Sequence, residues 1–498
     1  FLCKEPVVIS DPLSYKETMR NAFVIVDQDE RREMIRTGLL AVADKLGGHV
    51  WHNADLLEEI NYLVEYPTPL YGRIDDEFLK LPVPAVVTPM RDHQRYYPVR
   101  NEDGSLMPYF LTVRNGGTKA LENVQHGNEK VLRARLDDAK FFFENDRKKT
   151  LEGHRDDLTR INYQEGMGDM RDKADRLQKL TEAIGKDWGF TAEEAADADR
   201  AAFLSKSDLA TGMVTEFTEL QGEMGKEYAL LDGEKPEVAK AIFEQYMPRF
   251  AGDILPQQEI GRALSLADKL DNLAATFLRG LIPTGSQDPF ALRRQTIGAV
   301  NILTDGKIHW DIRRGIEAAL ALLPGDEETK KTVLSQIEDF FRQRIKAIML
   351  DEGIAYDIID AVLAGPVDDI YALFLKARSM AESQLKDEAE LRQAVTRLAN
   401  ITKGKTGGKV DPSLFTEDVE KKLQDAFEAV SAKALPLFAS YEYGKALPAL
   451  RELTAPINDY LDNVMVMVDD EAVKNNRISQ LLATLALFNT WGDFSKLV

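Results

Sequence analysis

From about residue 126 to the end of the chain, apolar residues recur at helical spacing in one segment after another, and Gly or Pro interrupts each run before the next begins. A chain patterned in this way buries its apolar stripes by packing helix on helix, so most of it is a multi-helix body. The spacing predicts helices over 167–185, 202–229, 236–248, 257–280, 311–323 and 327–350. The stretch ITKGKTGGKVDPS (401–413) then breaks the pattern, because its Gly and Pro cannot continue a helix. Beyond it Thr416 is placed as an N-cap, Val419, Leu423 and Phe427 share one face, and Val473, Ile478, Leu481, Leu482 and Leu485 keep the spacing in a last helix. The end of the chain reads as a small helix bundle.

The first 125 residues read differently, as a mixed α/β module. Ile35, Leu39, Val42 and Leu46 mark a helix that stops at Gly47-Gly48. LPVPAVVTPM (81–90) reads as a strand, and the runs on either side of Asp103-Gly104 read as a hairpin. At 498 residues the chain is long enough for two to four domains. No apolar run approaches the ~18 residues that would span a bilayer, so no membrane partner is expected. A single cysteine, Cys3, excludes an intramolecular disulfide framework and a multi-cysteine metal site, and fits a reducing cytoplasm. The opening FLCKEPVVIS has neither an initiator Met nor a signal pattern and reads as an internal cut.

The formal charge of −20 argues against coating DNA or RNA nonspecifically, since that affinity comes from cations displacing counterions. The charge is uneven, however. Residues 371–498 hold 16 Lys+Arg against 18 Asp+Glu, a net of −2, which leaves −18 on the preceding 370. The tail is the part least repelled by a polyanion.

Nucleotide chemistry has no obvious seat. KGKTGGKV fails the phosphate-loop spacing, with Lys409 where a second Gly should stand and Val410 in place of Ser or Thr. No G-x-G-x-x-G follows a strand and no G-x-S-x-G elbow exists. The six histidines are scattered, and the near pair His49 and His52 reads as loop histidines rather than a zinc pair. The order and separation of FLSKSDLATGMVTEF (203–217) and ALSLADKLDNLAATF (263–277) resemble those of the HD superfamily of metal-dependent phosphohydrolases. Here Ser207-Asp208 stands where the His-Asp doublet would be, and Asp208 with Asp268, lacking imidazole, makes a poor transition-metal site. A degenerate, structural HD-like fold is the reading this favours.

The stretch TPMRDHQRYYPVRNEDGSLMPYF (88–110) sets Arg91, His93, Arg95 and Arg100 beside Tyr96 and Tyr97. His93 as a general base lacks a partner carboxylate or nucleophile at a recognisable offset. Arginines interleaved with tyrosines suit phosphate contacts and base stacking, and equally the rim of a hairpin.

Six segments, TPMRDHQRYYPV, GNEKVLRARLDDAKFFFENDRKK, LQGEMGKEYA, RFAGDILP, GSQDPFALRR and VMVMVDDEAVKNNR, occur in an order that resembles the β subunit of bacterial glycyl-tRNA synthetase, truncated at its N-terminus. The resemblance implies a division of labour. A separate class II α subunit carries the active site and uses ATP and Mg²⁺, while β recognises glycine tRNA, holds no catalytic or metal residue and needs no cofactor of its own. It also implies a cytoplasmic assembly of two α and two β chains. By domain, it implies a B3/B4-like α/β module over 1–125, an HD-like helical domain over 126–308, linker helices over 309–370 and an anticodon-binding helical domain, of the arginyl-tRNA synthetase type, over 371–498. Candidate tRNA contacts are Arg91, His93, Arg95 and Tyr96, then Arg133, Arg135, Arg293 and Arg294. In the tail they are Lys403, Lys405 and Lys409 for the RNA backbone, and Asn475, Asn476 and Arg477 for the anticodon bases. Two other readings compete: an HD-type phosphohydrolase with RNA-binding appendages, and a helical scaffold that binds no RNA.

Overall fold

A four-stranded antiparallel sheet of order β1-β3-β4-β2 organises the N-terminal part of the chain. Its strands are β1 (His49–Val50), β2 (Pro67–Arg73), β3 (Tyr97–Arg100) and β4 (Leu106–Asn115). The β3–β4 hairpin turns at Asp103-Gly104, as its sequence predicts: Gly104 has φ +85, and the Asp103 carboxylate accepts a hydrogen bond from Ser105 N at 2.9 Å. Helices Gln28–Lys45 and Ala54–Leu63 cover one face, where Ile35, Leu39, Leu56 and Ile60 pack against Tyr97, Val99 and Leu111.

The computed structural model describes residues 2–51, 53–285 and 287–497, so His52 lies outside the described residues. Two compact units emerge. The first comprises residues up to Tyr163, Gly168–Ala174 and Arg200–Phe243; the second comprises Gln164–Met167, Asp175–Asp199 and the chain from Glu244 onward. Residues 126–308 contribute to both units.

Two elements differ from their sequence reading. LPVPAVVTPM is not a strand: Val83–Thr88 is helical and runs into a π-type turn over Pro89–His93. A short apolar run has no period long enough to tell strand from helix, and burial of Ala85, Val86 and Met90 decides for the helix. Nor is 202–229 one helix. Ala192–Leu204, a 3₁₀ turn at Ser207–Ala210, Gly212–Glu216 and Glu223–Leu231 follow one another, separated by left-handed backbone at Lys206 and Gly222. The other expected helices are present with shifted ends, such as Met170–Trp188, Glu259–Leu278 and Glu327–Asp351.

In the second unit Glu259–Leu278 is buried on nearly every side and packs against Leu292–Asp305, Ile312–Ala321 and Glu327–Asp351. The bundle that follows is built of Ile370–Glu382, Ala389–Thr402, Asp418–Ala439, Thr454–Asn463 and Glu471–Asn489, around Leu423, Ile457, Tyr460, Leu481 and Trp491. Its cap lies one residue past the expected Thr416: Glu417 is the N-cap and forms a capping box with Glu420. Among the described residues no helix is long and apolar enough to cross a membrane.

Candidate nucleic-acid interface

The loop after Thr402 is zipped onto the closing helix, Glu471–Asn489. Asn476 does this with both ends of its carboxamide: Oδ1 accepts from Asp411 N at 2.7 Å and Nδ2 donates to Asp411 O at 3.0 Å. Ser479 Oγ accepts from Gly408 N at 2.8 Å. Gly407 is needed for the close approach, since a Cβ there would stand 2.9 Å from Leu482 Cδ1 and 3.2 Å from Ser479 Cα. Docking the backbone turns the lysines outward. Lys403 and Lys409 are exposed and make no ion pair, and Lys405 Nζ lies 3.2 Å from Met467 Sδ. Lys421 and Lys422, at the start of Asp418–Ala439, are likewise exposed and unpaired. Several other cations of the bundle are neutralised, as in the Arg397–Asp462, Lys433–Glu452 and Arg451–Glu388 pairs.

Arg477 does not face outward. Its guanidinium is buried against Glu420, at 3.0 Å, and also donates to Thr416 Oγ1 and Met465 O. Burial pushes the Glu420 carboxyl up, but Arg477 and the N–H groups of Thr416 and Glu417 outweigh it and hold the group below its ordinary value. Arg477 and Asn476 are thus corrections to the sequence reading: both are buried and brace the bundle, leaving Asn475 as the exposed member of the three.

The N-terminal stretch is quieter electrostatically than its sequence suggests. Arg91 is bidentate to Asp92 at 2.6 and 2.9 Å, Arg95 Nε donates to Glu59 at 2.8 Å, and His93 Nε2 lies 2.9 Å from Glu219 Oε1. Tyr96 is a further correction. It is 6% exposed and stacks on Phe110 with centroids 4.6 Å apart, so it belongs to the core. Arg133 pairs with Asp75 at 2.7 Å and, with Arg73, His126 and Lys130, lines a cleft of about 360 Å³, whereas Arg135 is exposed and unpaired. Arg293 is half-buried and donates to Gly285 O at 2.6 Å, and Arg294 is exposed. Arg344, which no motif singles out, is packed over Phe340; burial and then the charge of Arg293 push its pKa below the ordinary guanidinium value.

Ser207 and Asp208, in the place of the metal doublet, are fully buried. Asp208 Oδ2 accepts from Gly222 N at 2.7 Å, and a Cβ on Gly225 would touch its side chain. The carboxylate holds a turn. Among the described residues no group of three or more His, Cys, Asp or Glu side chains is arranged to hold a metal ion.

Comparison with known proteins decides the family. The profile described as Glycyl-tRNA synthetase beta subunit matches residues 1–364, and that of the DALR anticodon binding domain matches residues 391–492. The chain belongs to the glycyl-tRNA synthetase beta subunit family. It is 44% identical over 499 residues to the glycine–tRNA ligase beta subunit of Clostridioides difficile (strain 630), covering 100% of this chain and 72% of that protein. The corresponding figures are 42% over 502 residues for that of Desulforamulus reducens, with 100% and 72% covered, and 40% over 499 residues for that of Halalkalibacterium halodurans, with 99% and 72% covered. The family's anticodon-binding match falls on the bundle that carries the unpaired lysines. Lys421 and Lys422 were missed by sequence reasoning, although their adjacency just inside a predicted N-terminus was a usable signal.

Proposed function

We propose that this chain is the tRNA-recognising beta subunit of a heteromeric glycine–tRNA ligase. It binds glycine tRNA, while a separate alpha subunit, using ATP and Mg²⁺, activates glycine and transfers it. An assembly of two alpha and two beta chains in the cytoplasm belongs to the same reading. The observation that carries it is the bundle of the anticodon-binding family, from which Lys403, Lys405, Lys409, Lys421 and Lys422 project without carboxylate partners. Cations free of partners are those that neutralise RNA phosphates; base selection then falls to polar groups such as Asn475.

The test is charging of glycine tRNA by the alpha subunit with and without this chain, beside direct binding of the tRNA at two salt concentrations. Charging that rises with added chain, and binding that weakens with salt, are expected. Absence of tRNA binding even at low salt overturns the reading in favour of a scaffold. The hydrolase alternative predicts Mn²⁺-dependent phosphodiesterase activity, which the turn-holding role of Asp208 disfavours.

A further inference from the structure

Two clefts flank Trp51 in the N-terminal unit. One, of about 70 Å³, is lined by Arg36, Leu39, Val50, Trp51, Asn53 and Tyr97 among others. The second, of about 220 Å³, shares Trp51, Asn53 and Tyr97 and adds Val87, Arg91 and Pro98.

Trp51 is 65% exposed, whereas Trp310 and Trp491 are 6% and 0% exposed. An open indole at the mouth of a cleft is a stacking platform for a flat ring. The β1–β3 register sets Arg100 opposite His49, and its guanidinium comes back over Trp51, 5.0 Å from the ring centroid. Arg100 makes no ion pair; it donates to Gly104 O at 2.7 Å, and its Nε is buried without a hydrogen-bond partner.

The Tyr97 hydroxyl is the second anomaly. Tyr97 is only 3% exposed, yet its oxygen has no partner in the protein. A buried hydroxyl left unpaired is costly, and because Tyr97 lines both clefts, a polar ligand that reaches its oxygen pairs it. Beside it, Asn53 uses Oδ1 to cap a helix at Leu56 N, 3.0 Å away, which leaves its amino end for a ligand. Among the described residues no carboxylate lines either cleft; Arg36 and Arg91 are paired with Glu33 and Asp92, which leaves Arg100, over the Trp51 ring, as the cation there without an ion pair. The occupant is therefore flat, polar at one edge and negatively charged.

We propose that the clefts beside Trp51 receive an unpaired nucleotide of the bound tRNA, its base stacked on Trp51 and hydrogen-bonded to Tyr97, its phosphate facing Arg100. This rests on the reading of the chain as a tRNA-binding subunit and adds a base-binding site outside the anticodon-binding bundle. An uncharged aromatic solute would satisfy Trp51 and Tyr97 but leave Arg100 without a counter-charge.

The experiment is acrylamide quenching of tryptophan fluorescence in the full chain, titrated with glycine tRNA and, separately, with a short single-stranded RNA. Trp51→Phe identifies the signal of the exposed indole. Saturating tRNA should remove most of the accessible component that Trp51→Phe lacks. Trp51→Ala should bind tRNA about tenfold more weakly. Tyr97→Phe, which removes only an oxygen without a protein partner, should weaken binding about threefold and leave the thermal midpoint unchanged or raised. Should tRNA bind while Trp51 stays accessible and Tyr97→Phe binds as wild type, the site is refuted and the function stands. If tRNA fails to bind but the short RNA protects Trp51, the functional reading falls and the nucleotide site stands. Protection by neither overturns both.

Discussion

Two stretches of this chain are rich in cations and polar groups, Arg91–Arg100 in the N-terminal unit and Lys403–Lys409 in the C-terminal bundle, and the fold treats them oppositely. In the first, Arg91, His93 and Arg95 each meet a carboxylate, and Arg100 alone of its cations makes no ion pair. In the second the lysines are displayed without an ion pair: Asp411, an acid of the same loop, spends its carboxylate on Ser413, and the Lys409 charge acts on it less than those hydrogen bonds do. A count of charges does not locate a polyanion-binding surface. Whether each charge is already neutralised does.

The comparison is broken most forcefully at the buried pair beneath the second stretch. Arg477→Ala leaves Glu420 uncompensated in the bundle and should cost about 3–5 kcal/mol, read as a lowered unfolding midpoint. The pair also gives a pH dependence. Because the folded-state pKa of Glu420 lies below its unfolded value of 4.5, the stabilisation is fully present above about pH 4.5 and is lost as pH falls through the folded value. Acid titration of the wild type should show this loss, and Arg477→Ala should not.

Next in size is the binding contrast itself. Replacing Lys403, Lys405 and Lys409 together by Ala should weaken tRNA binding by roughly tenfold or more and flatten its salt dependence by about two to three units of slope. Arg91→Ala with Arg95→Ala should flatten it by less than one unit, since both are already paired. Equal slopes for the two sets would erase the distinction drawn between the stretches.

A smaller effect is expected of Gly407→Ala. The added methyl meets Leu482 and the backbone of Ser479, so the loop should lift from the closing helix at a cost of about 1–2 kcal/mol. Faster proteolysis after Lys403 or Lys405, with a folded bundle by circular dichroism, is the readout. Smallest of all is Arg95→Ala alone. Its partner Glu59 is exposed, and the change in stability should stay within about 0.5 kcal/mol by thermal denaturation.

How much of this was legible beforehand depends on the range of the interactions involved. Helical periodicity, the Asp103-Gly104 hairpin and the terminal bundle are set by neighbours within a few positions, and the sequence by itself determined them. So too the family, whose segments stand in order along the chain. Where local signals were short or ambiguous, tertiary burial decided, as for Val83–Thr88 and for the buried breaks between 204 and 223.

The roles of the candidate contacts were decided by the tertiary structure alone, because their partners are remote. Arg95 meets Glu59 across 36 positions, Arg477 meets Glu420 across 57, and His93 meets Glu219 across 126. A guanidinium written beside a tyrosine looks the same in sequence whether it will face solvent, a carboxylate or the core. Burial converts it from an RNA contact into a brace, and burial is a property of the folded chain: Tyr96 and Tyr97 are adjacent and both buried, yet one stacks on Phe110 and the other, packed with Val99 and Leu111, also lines the clefts beside Trp51 with an unpaired hydroxyl.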